Sequence, residues 1–437
     1  MLTRAFNWFI GDDCRHYTLN NLLAVLLLTV MFALSFDLLK PQMQPALELA
    51  EMELATVTSS TSGSNRFNQL LWVSLMAIAC ICALRDPRRF GAIVQSQWPL
   101  VLIVVLALLS TLWAIDGRIA FRRSILLLFI ITSVFAGIGY LRQPQQLLLI
   151  LYRIGAAVLL LNLVTVLTGN FDAKGYFYGI HGQKNSLGAV ALLSIYFAIA
   201  VRTLYRQHCN LRFNSLYIGL WLLLLLMSVS KTSIALMLLA PVLVYSLHKL
   251  SITFDINLGS LLLVACLLLL IAVQLALGWH DWHIKQLLAQ FMNDPGFTGR
   301  DYIWQFLLDR IEERWLLGHG YGSFWGIGDR SPNVIYGQSY LQLLNQGHNG
   351  YLDLLAILGM TGMVLYGLVV LQFVRQSGQI RQRHPQFYFL LWILLIITLL
   401  HNVTESSLLR GSHAMWMIQL LVFISTARLV TDKRMLS

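Results

Sequence analysis

Charge is scarce in this chain: Asp, Glu, Lys and Arg make up 12% of its 437 residues, about half the share of an ordinary soluble domain. That leaves too little charged surface to cover a globule of this length, which excludes a soluble multidomain protein. Cysteine is scarce too. Its five copies, Cys14, Cys80, Cys82, Cys209 and Cys266, have no metal-ligand spacing and fall mostly in or beside apolar runs, so neither a disulfide framework nor a thiolate metal site is expected. A P-loop, Gly-x-Ser-x-Gly and His-Glu-x-x-His are all missing, which removes the chemistries they carry. No Asp-x-Asp pair occurs in the loops assigned below to the outer face. A metal-held nucleotide sugar therefore has no evident ligands, and no metal or cofactor is expected. Acidic residues are the rarer sign, 20 against 31 Lys and Arg, for a net charge of +11. In a membrane protein that surplus is accounted for by cytoplasmic anchors, and no nucleic-acid partner is expected.

What is abundant is apolar sequence, 57% of all residues. Runs long enough to cross a bilayer lie near 21–39, 68–84, 97–115, 124–141, 146–168, 186–204, 213–230, 232–249, 257–277, 350–374, 386–404 and 412–430. They predict an all-α polytopic membrane protein of about 12 transmembrane helices. Spans 1–9 fall in residues 1–277, a large loop in 278–348 and spans 10–12 in 349–437, all within one membrane domain. The first run is too long for a signal-peptide core and no small-residue cleavage site follows, so it is read as the first span. An even number of spans puts both termini on one side. Arg4, Arg15, Arg85, Arg88, Arg89, Arg142, Arg202, Arg206, Arg212, Lys249, Arg375, Arg381, Arg383, Arg428, Lys433 and Arg434 fall there, which makes that side cytoplasmic by the positive-inside rule. The first outer loop is acidic (Glu48, Glu51, Glu53) and ends in a Thr/Ser/Gly-rich stretch, 56–65, read as flexible.

Several cations break the rule and lie on the outer face: Arg118, Arg122, Arg123, Lys174, Lys184, Lys231, Arg300, Arg310, Arg314 and Arg410. An anionic ligand on that face, such as a phosphate, accounts for them; headgroup contact or local pairing is the plainer account.

Four outer segments carry the polar chemistry. In Gly175-Tyr176-Phe177-Tyr178-Gly179-Ile180-His181-Gly182-Gln183-Lys184-Asn185-Ser186-Leu187-Gly188, Lys184 and Asn185 open a membrane helix, whose free N–H groups and dipole favour anions. A tight turn with an aromatic belt would explain the same residues. Ser228-Val229-Ser230-Lys231-Thr232-Ser233 is a turn between spans. Capping explains its hydroxyls but not a lysine set between two apolar runs. In Gly299-Arg300-Asp301-Tyr302-Ile303-Trp304, Arg300 falls in the first turn of an expected amphipathic interfacial helix, where its fork can grip a phosphate. An Arg300–Asp301 surface pair is the alternative. Downstream, 318–326 is glycine- and aromatic-rich and reads as a flexible loop gating a substrate path. Finally, His348-Asn349 stands where the long loop meets an apolar helix. The positive helix end disfavours imidazolium, leaving His348 competent as a base, unless it serves only as a cap. Glu405 and Arg410 flank the last outer turn and either complete the site or pair with each other.

At these residues the sequence resembles the bacterial O-antigen ligase/polymerase superfamily, which includes O-antigen ligases, Wzy-type polymerases and exopolysaccharide polymerases. The pattern His-Asn, nine residues, Gly-x-x-Gly is matched by His348-Asn349 and Gly359-Met360-Thr361-Gly362. Gly-Arg-x-x-x-Trp is matched at Gly299 to Trp304, Gly-x-Lys-Asn-x-Leu-Gly at Gly182 to Gly188, and Asn-x-x-Glu-Ser at Asn402 to Ser406. The resemblance implies a GT-C-type fold in the bacterial inner membrane, with both termini cytoplasmic and the active site periplasmic. It implies an undecaprenyl-diphosphate-linked glycan as donor and a growing glycan or lipid A-core as acceptor, with membrane lipids and other polysaccharide-assembly proteins as further partners. Carried over, His348 acts on the acceptor hydroxyl and Arg300 on the departing diphosphate. Lys184, Asn185, Lys231, Arg123, Asn349, Glu405, Arg410 and Trp304 contact diphosphate or glycan. The reaction would be a metal-independent inverting transfer, and the Lys184-Asn185 version of its motif favours a polymerase over a ligase. A lipid-linked-oligosaccharide transporter is the rival from another class, but it calls for charge deep in mid-membrane, where this sequence has little.

Overall fold

The computed structural model describes residues 18–41, 66–143, 146–172, 174–205, 210–255, 259–260, 300–337, 339–381 and 383–436. All of the expected span at 257–277 but 259–260, the stretch 56–65 and the loop before Arg300 lie outside the described residues. Apart from one antiparallel bridge between Phe171 and Phe177, the described secondary structure is helical. The longer helices are α1 (Leu19–Ser35), α2 (Arg66–Arg85), α3 (Pro87–Ser96), α4 (Trp98–Leu109), α5 (Gly117–Tyr140), α6 (Gln146–Thr168) and α7 (Lys184–Leu204). They continue as α8 (Leu211–Ser228), α9 (Lys231–Thr253), α10 (Arg300–Glu313), α11 (Gly350–Ile380), α12 (Pro385–Thr404) and α13 (Ala414–Leu436).

Among the described residues, nine of these helices are long and apolar enough to cross a bilayer. The protein is an all-α polytopic membrane protein. Polar residues mark the helix starts. Thr18 and Asn21 form a reciprocal capping box on α1, Asp116 accepts from Ile119 N at 3.0 Å on α5, and Asn210 caps α8. The span expected near 97–115 is found as the helical stretch beginning at Trp98, and α3 meets its start at 84°. Pro99 near the start of α4 suits that break. Gln97 at the corner is buried and donates to Gln376 Oε1 (2.9 Å) and Phe423 O (3.1 Å), so the bend leaves its amide N–H paired against α11 and α13.

The arginine-rich end of the bundle is pinned in the same way. Arg428, buried on α13, donates to Ile138 O at 2.6 Å and to Leu141 O, and Asp432 also pairs with Arg89 at 3.1 Å. A buried guanidinium is tolerable only when its donors are so used.

At the opposite end, α11 is broken. Gly359 leaves the helix with φ 63° and ψ −163°, and the backbone groups freed there are taken up by residues 315–320. Met360 N donates to Trp315 O (2.8 Å) and Thr361 N to Leu316 O (3.1 Å). In return His319 N donates to Ala356 O (2.8 Å) and Gly320 N to Ile357 O (3.0 Å). This close approach requires glycine on both sides. A Cβ at Gly359 would lie 2.4 Å from the Leu316 carbonyl, and one at Gly318 2.6 Å from the Ile357 carbonyl carbon.

The expectation of a flexible gate at 318–326 is therefore corrected: this loop is packed. Tyr321, Ser323 and Phe324 are buried, and Tyr321 N and Asp116 N bond Ser110 Oγ (2.9 Å) and Ser323 Oγ (2.7 Å). The apolar face of α10 covers it, with Ile303, Trp304, Phe306 and Leu307 clustered on Phe324 and Ala356. Each such side chain contributes about 1.5–3 kcal/mol when fully buried, so the amphipathic helix expected here packs onto α11.

Candidate functional site

The turn between α12 and α13 is built around Asn402. Its Oδ1 accepts from Ser407 N (2.9 Å), Ser407 Oγ (3.0 Å) and Leu408 N (3.1 Å), while its amide donates to Thr398 O (2.7 Å). Glu405 is left extended, and the turn clamps the start of α11: Gly350 N donates to Glu405 O (3.1 Å) and Asn349 N to Ser406 Oγ (3.0 Å). Gly350 is required there, since a Cβ would meet Asn402 Oδ1 at 2.1 Å. Asn349 is the N-cap, accepting from Tyr351 N (3.0 Å) and Leu352 N (3.1 Å). His348, just before it, is held at φ +49°.

The Glu405 carboxylate gathers residues from three other parts of the chain. Its Oε1 accepts from Asn185 Nδ2 at 2.7 Å and Arg300 Nη2 at 2.9 Å, and its Oε2 lies 3.2 Å from His348 Nδ1. Asn185 comes from the first turn of α7, and Arg300 opens α10. His348 and Arg300 keep 25% and 20% of their side-chain surface exposed, enough to be reached from outside. Burial would raise the Glu405 carboxyl, but the His348 hydrogen bond and the charges of His348 and Arg300 outweigh it and hold the carboxyl below its usual range. The sign for stability follows. The contribution is full above the unfolded carboxyl value of roughly 4.3 and is lost as pH falls through the lower folded value. In thermal melts, the wild type should therefore exceed Glu405→Gln at neutral pH and the gap should close in acid. A gap constant with pH would contradict this pairing.

Of the other residues expected at the site, Lys184 stacks its ammonium over the Tyr176 ring at 3.7 Å, and Lys231 is exposed at the start of α9. Thr232 Oγ1 bonds Thr404 Oγ1 at 3.1 Å, which places that helix start beside Glu405. Arg410 does not pair with Glu405. It donates to Gln346 Oε1 and, at 3.4 Å, to Asn345 Oδ1 and Ser406 O, bracing the segment before His348. Two candidates are spent on structure. Arg123 donates to the carbonyls of Gly322, Trp325 (2.8 Å) and Gly326 (2.9 Å). Trp304 is buried, with its indole N–H on Gly347 O at 3.0 Å.

Glu405 and Arg410 also border a cavity of about 380 Å³ that reaches Asp37, His181, His401 and His413. Asn185 lines it as well, but His348, Arg300, Lys184 and Lys231 do not. His413 stays neutral: burial, with the Arg410 charge and His401 adding to it, pushes its imidazole down to about 3. Sequence reasoning missed this cavity. His181 lay within the Gly-rich segment before α7, but Asp37 and His401 carried no motif. Of the five non-glycine residues with positive φ among the described residues, Asp37, Val229, His348 and Leu409 fall at this end of the bundle and Asp255 does not; such strained positions gather at functional sites.

Residues 216–367 match the family described as O-antigen ligase (Wzy_C). The chain is also 25% identical over 232 residues to the exopolysaccharide production protein ExoQ of Rhizobium meliloti (strain 1021), a stretch covering 49% of this chain and 51% of that protein. Over these stretches the chain is similar to proteins of the O-antigen ligase/polymerase superfamily. Arg300, His348, Gly359 and Gly362 lie inside the matched region, while Asn185 and Glu405 fall outside it. The Glu405 cluster thus joins the matched region to helices on either side. The chain spans about half the length of the curated relative it matches.

Proposed function

We propose that this protein is a metal-independent, inverting glycosyltransferase of the GT-C type. On this reading it polymerises a cell-surface polysaccharide from an undecaprenyl-diphosphate-linked glycan at the periplasmic face of the bacterial inner membrane, with both termini cytoplasmic. The observation that carries the reading is the Glu405 carboxylate shared by His348, Arg300 and Asn185. A carboxylate on Nδ1 holds the ring with Nε2 toward the acceptor and stabilises the imidazolium formed there, as in other His–carboxylate pairs. The acceptor hydroxyl oxygen attacks the anomeric carbon, its proton passes to His348 Nε2, and the bond from that carbon to the diphosphate oxygen breaks. Arg300 neutralises the leaving diphosphate through the guanidinium nitrogens that Glu405 does not occupy, with Lys184 and Lys231 nearby. Asn349 and Arg410 place these groups, as do Trp304 and Arg123 through the loop they anchor.

A second reading, transfer to lipid A-core or to protein, is favoured by the O-antigen ligase description of the matched family. Purified protein given an undecaprenyl-diphosphate glycan should lengthen it, and Arg300→Ala should lower the rate about 10²–10³-fold. Transfer to lipid A-core without lengthening would favour the ligase. No transfer to either acceptor, or an unaffected Arg300→Ala rate, would overturn the reading.

A further inference from the structure

The cavity beside Glu405 has its own chemistry. Asp37, just past the end of α1 with φ +59°, presents its carboxylate to the cavity with one oxygen already held: Oδ2 accepts from His181 Nδ1 at 2.9 Å. The His181 ring is itself fixed. It is buried, and its Nε2 faces Asn162 Nδ2 at 3.3 Å. Asn162 Oδ1 accepts from Ile180 N at 3.1 Å, which assigns the facing atom as the amide nitrogen, a donor. His181 Nε2 must therefore accept, and Nδ1 carries the proton toward Asp37. The His181 ring thus holds one oxygen of the Asp37 carboxylate, and Asp37 itself lines the cavity.

Other polar groups line the same cavity. His401 is 4% exposed, lines the cavity, and its Nδ1 has no hydrogen-bond partner among the described residues. Arg410, Gln346 and the neutral His413 complete a wall that mixes donors with acceptors. That mixture suits a group able to donate and accept at once and to carry no net charge, which is the chemistry of sugar hydroxyls. A diphosphate fits poorly, since Asp37 and Glu405 would both repel it. The volume, about 380 Å³, lies at the low end of small-molecule pockets.

We propose that this cavity is a glycan subsite that takes a neutral sugar residue, with Asp37 as a specificity-determining contact and His181 as its positioning residue. The proposal rests on the glycosyltransferase reading in one respect: it makes the occupant part of the acceptor or of the donor glycan. Glu405 then serves two neighbours, holding His348 and Arg300 with its carboxylate while forming one edge of the sugar's compartment.

The test uses the full chain in nanodiscs with two probes, a soluble repeat-unit oligosaccharide and the undecaprenyl-diphosphate-linked glycan. Saturation-transfer NMR reads oligosaccharide binding without turnover, and initial rates read KM and kcat for each probe. Asp37→Asn removes the charge, and Ser412→Phe fills the cavity from its exposed side; melting temperature checks that both fold. Both variants should weaken oligosaccharide binding and raise one KM about tenfold, with a smaller change in kcat. A raised oligosaccharide KM assigns the cavity to the acceptor, and a raised lipid-linked KM assigns it to the donor. His181→Ala should reproduce the Asp37→Asn pattern, and a change in melting temperature with no change in KM would remove its positioning role. Folded variants with wild-type binding and wild-type KM for both probes would overturn the subsite, even where the wild type transfers glycan. Binding that depends on Asp37 in a protein with no transfer activity would keep the subsite and overturn the enzyme reading. A folded wild type that neither binds nor transfers would overturn both.

Discussion

Replacing His348 with alanine is expected to lower turnover by about 10²–10⁴-fold, the usual worth of a positioned general base, while the protein still folds. The side chain is a quarter exposed and borders the loop, so truncation opens no core cavity. The backbone at φ +49° is a complication, because alanine tolerates that conformation poorly. Asparagine accepts left-handed geometry more readily and can still donate to Glu405, but it cannot take a proton. His348→Asn therefore separates the two roles. If it is as slow as His348→Ala in an initial-rate assay, proton transfer is what was lost. If it recovers most of the rate, orientation of the acceptor is what matters. Full activity in both variants would remove His348 from the chemistry.

The second large effect is structural. Gly359→Ala puts a methyl 2.4 Å from the Leu316 carbonyl and forces a side chain into a region of φ and ψ that essentially only glycine occupies. The backbone conformation alone costs about 1–3 kcal/mol. Relieving the clash would also pull apart the hydrogen bonds that join 315–320 to 356–361. Thermal unfolding in detergent should show a lowered midpoint, and limited proteolysis should cut between α10 and α11. Gly367→Ala on the same helix is the control. A Cβ there meets nothing within 4 Å, and alanine favours a helix over glycine by about 1 kcal/mol, so its midpoint should hold or rise. A Gly359→Ala midpoint equal to wild type would show that the break does not depend on glycine.

Hydrophobic run length made the membrane class legible, because bilayer thickness sets one scale for every span. The same measure could not show that α3 and α4 bend or that α11 breaks, since both depend on partners remote in sequence: Gln97 on Gln376, and Met360 on Trp315. His348-Asn349 read correctly as a helix start because a cap is a local device. Glu405 was legible as an acid flanking the last outer turn and, through the Asn-x-x-Glu-Ser resemblance, as a ligand contact, not as the hub of the cluster. Its role as the meeting point of Asn185, Arg300 and His348 spans up to 220 positions of chain, and no local pattern encodes that. Composition misled at 318–326, where glycine suggested mobility. There it serves positive φ and close backbone contact, and Arg123, expected to face a ligand, is consumed in holding that loop. Asp37 escaped notice because a lone aspartate at a helix end is commonplace until a buried histidine is seen to orient it.

The shared Glu405 carboxylate also orders the birth of the protein. Asn185 leaves the ribosome first of the cluster, then Arg300, then His348, and Glu405 last. It trails Asn185 by 220 residues and Arg300 by 105. At ordinary synthesis rates those gaps amount to roughly 10–45 s and 5–20 s. Until then neither Asn185 nor Arg300 has this partner, and the His348 ring has no anchor on Nδ1. A chain stalled before Glu405 already carries every expected outer-face cation except Arg410, yet it has no assembled cluster.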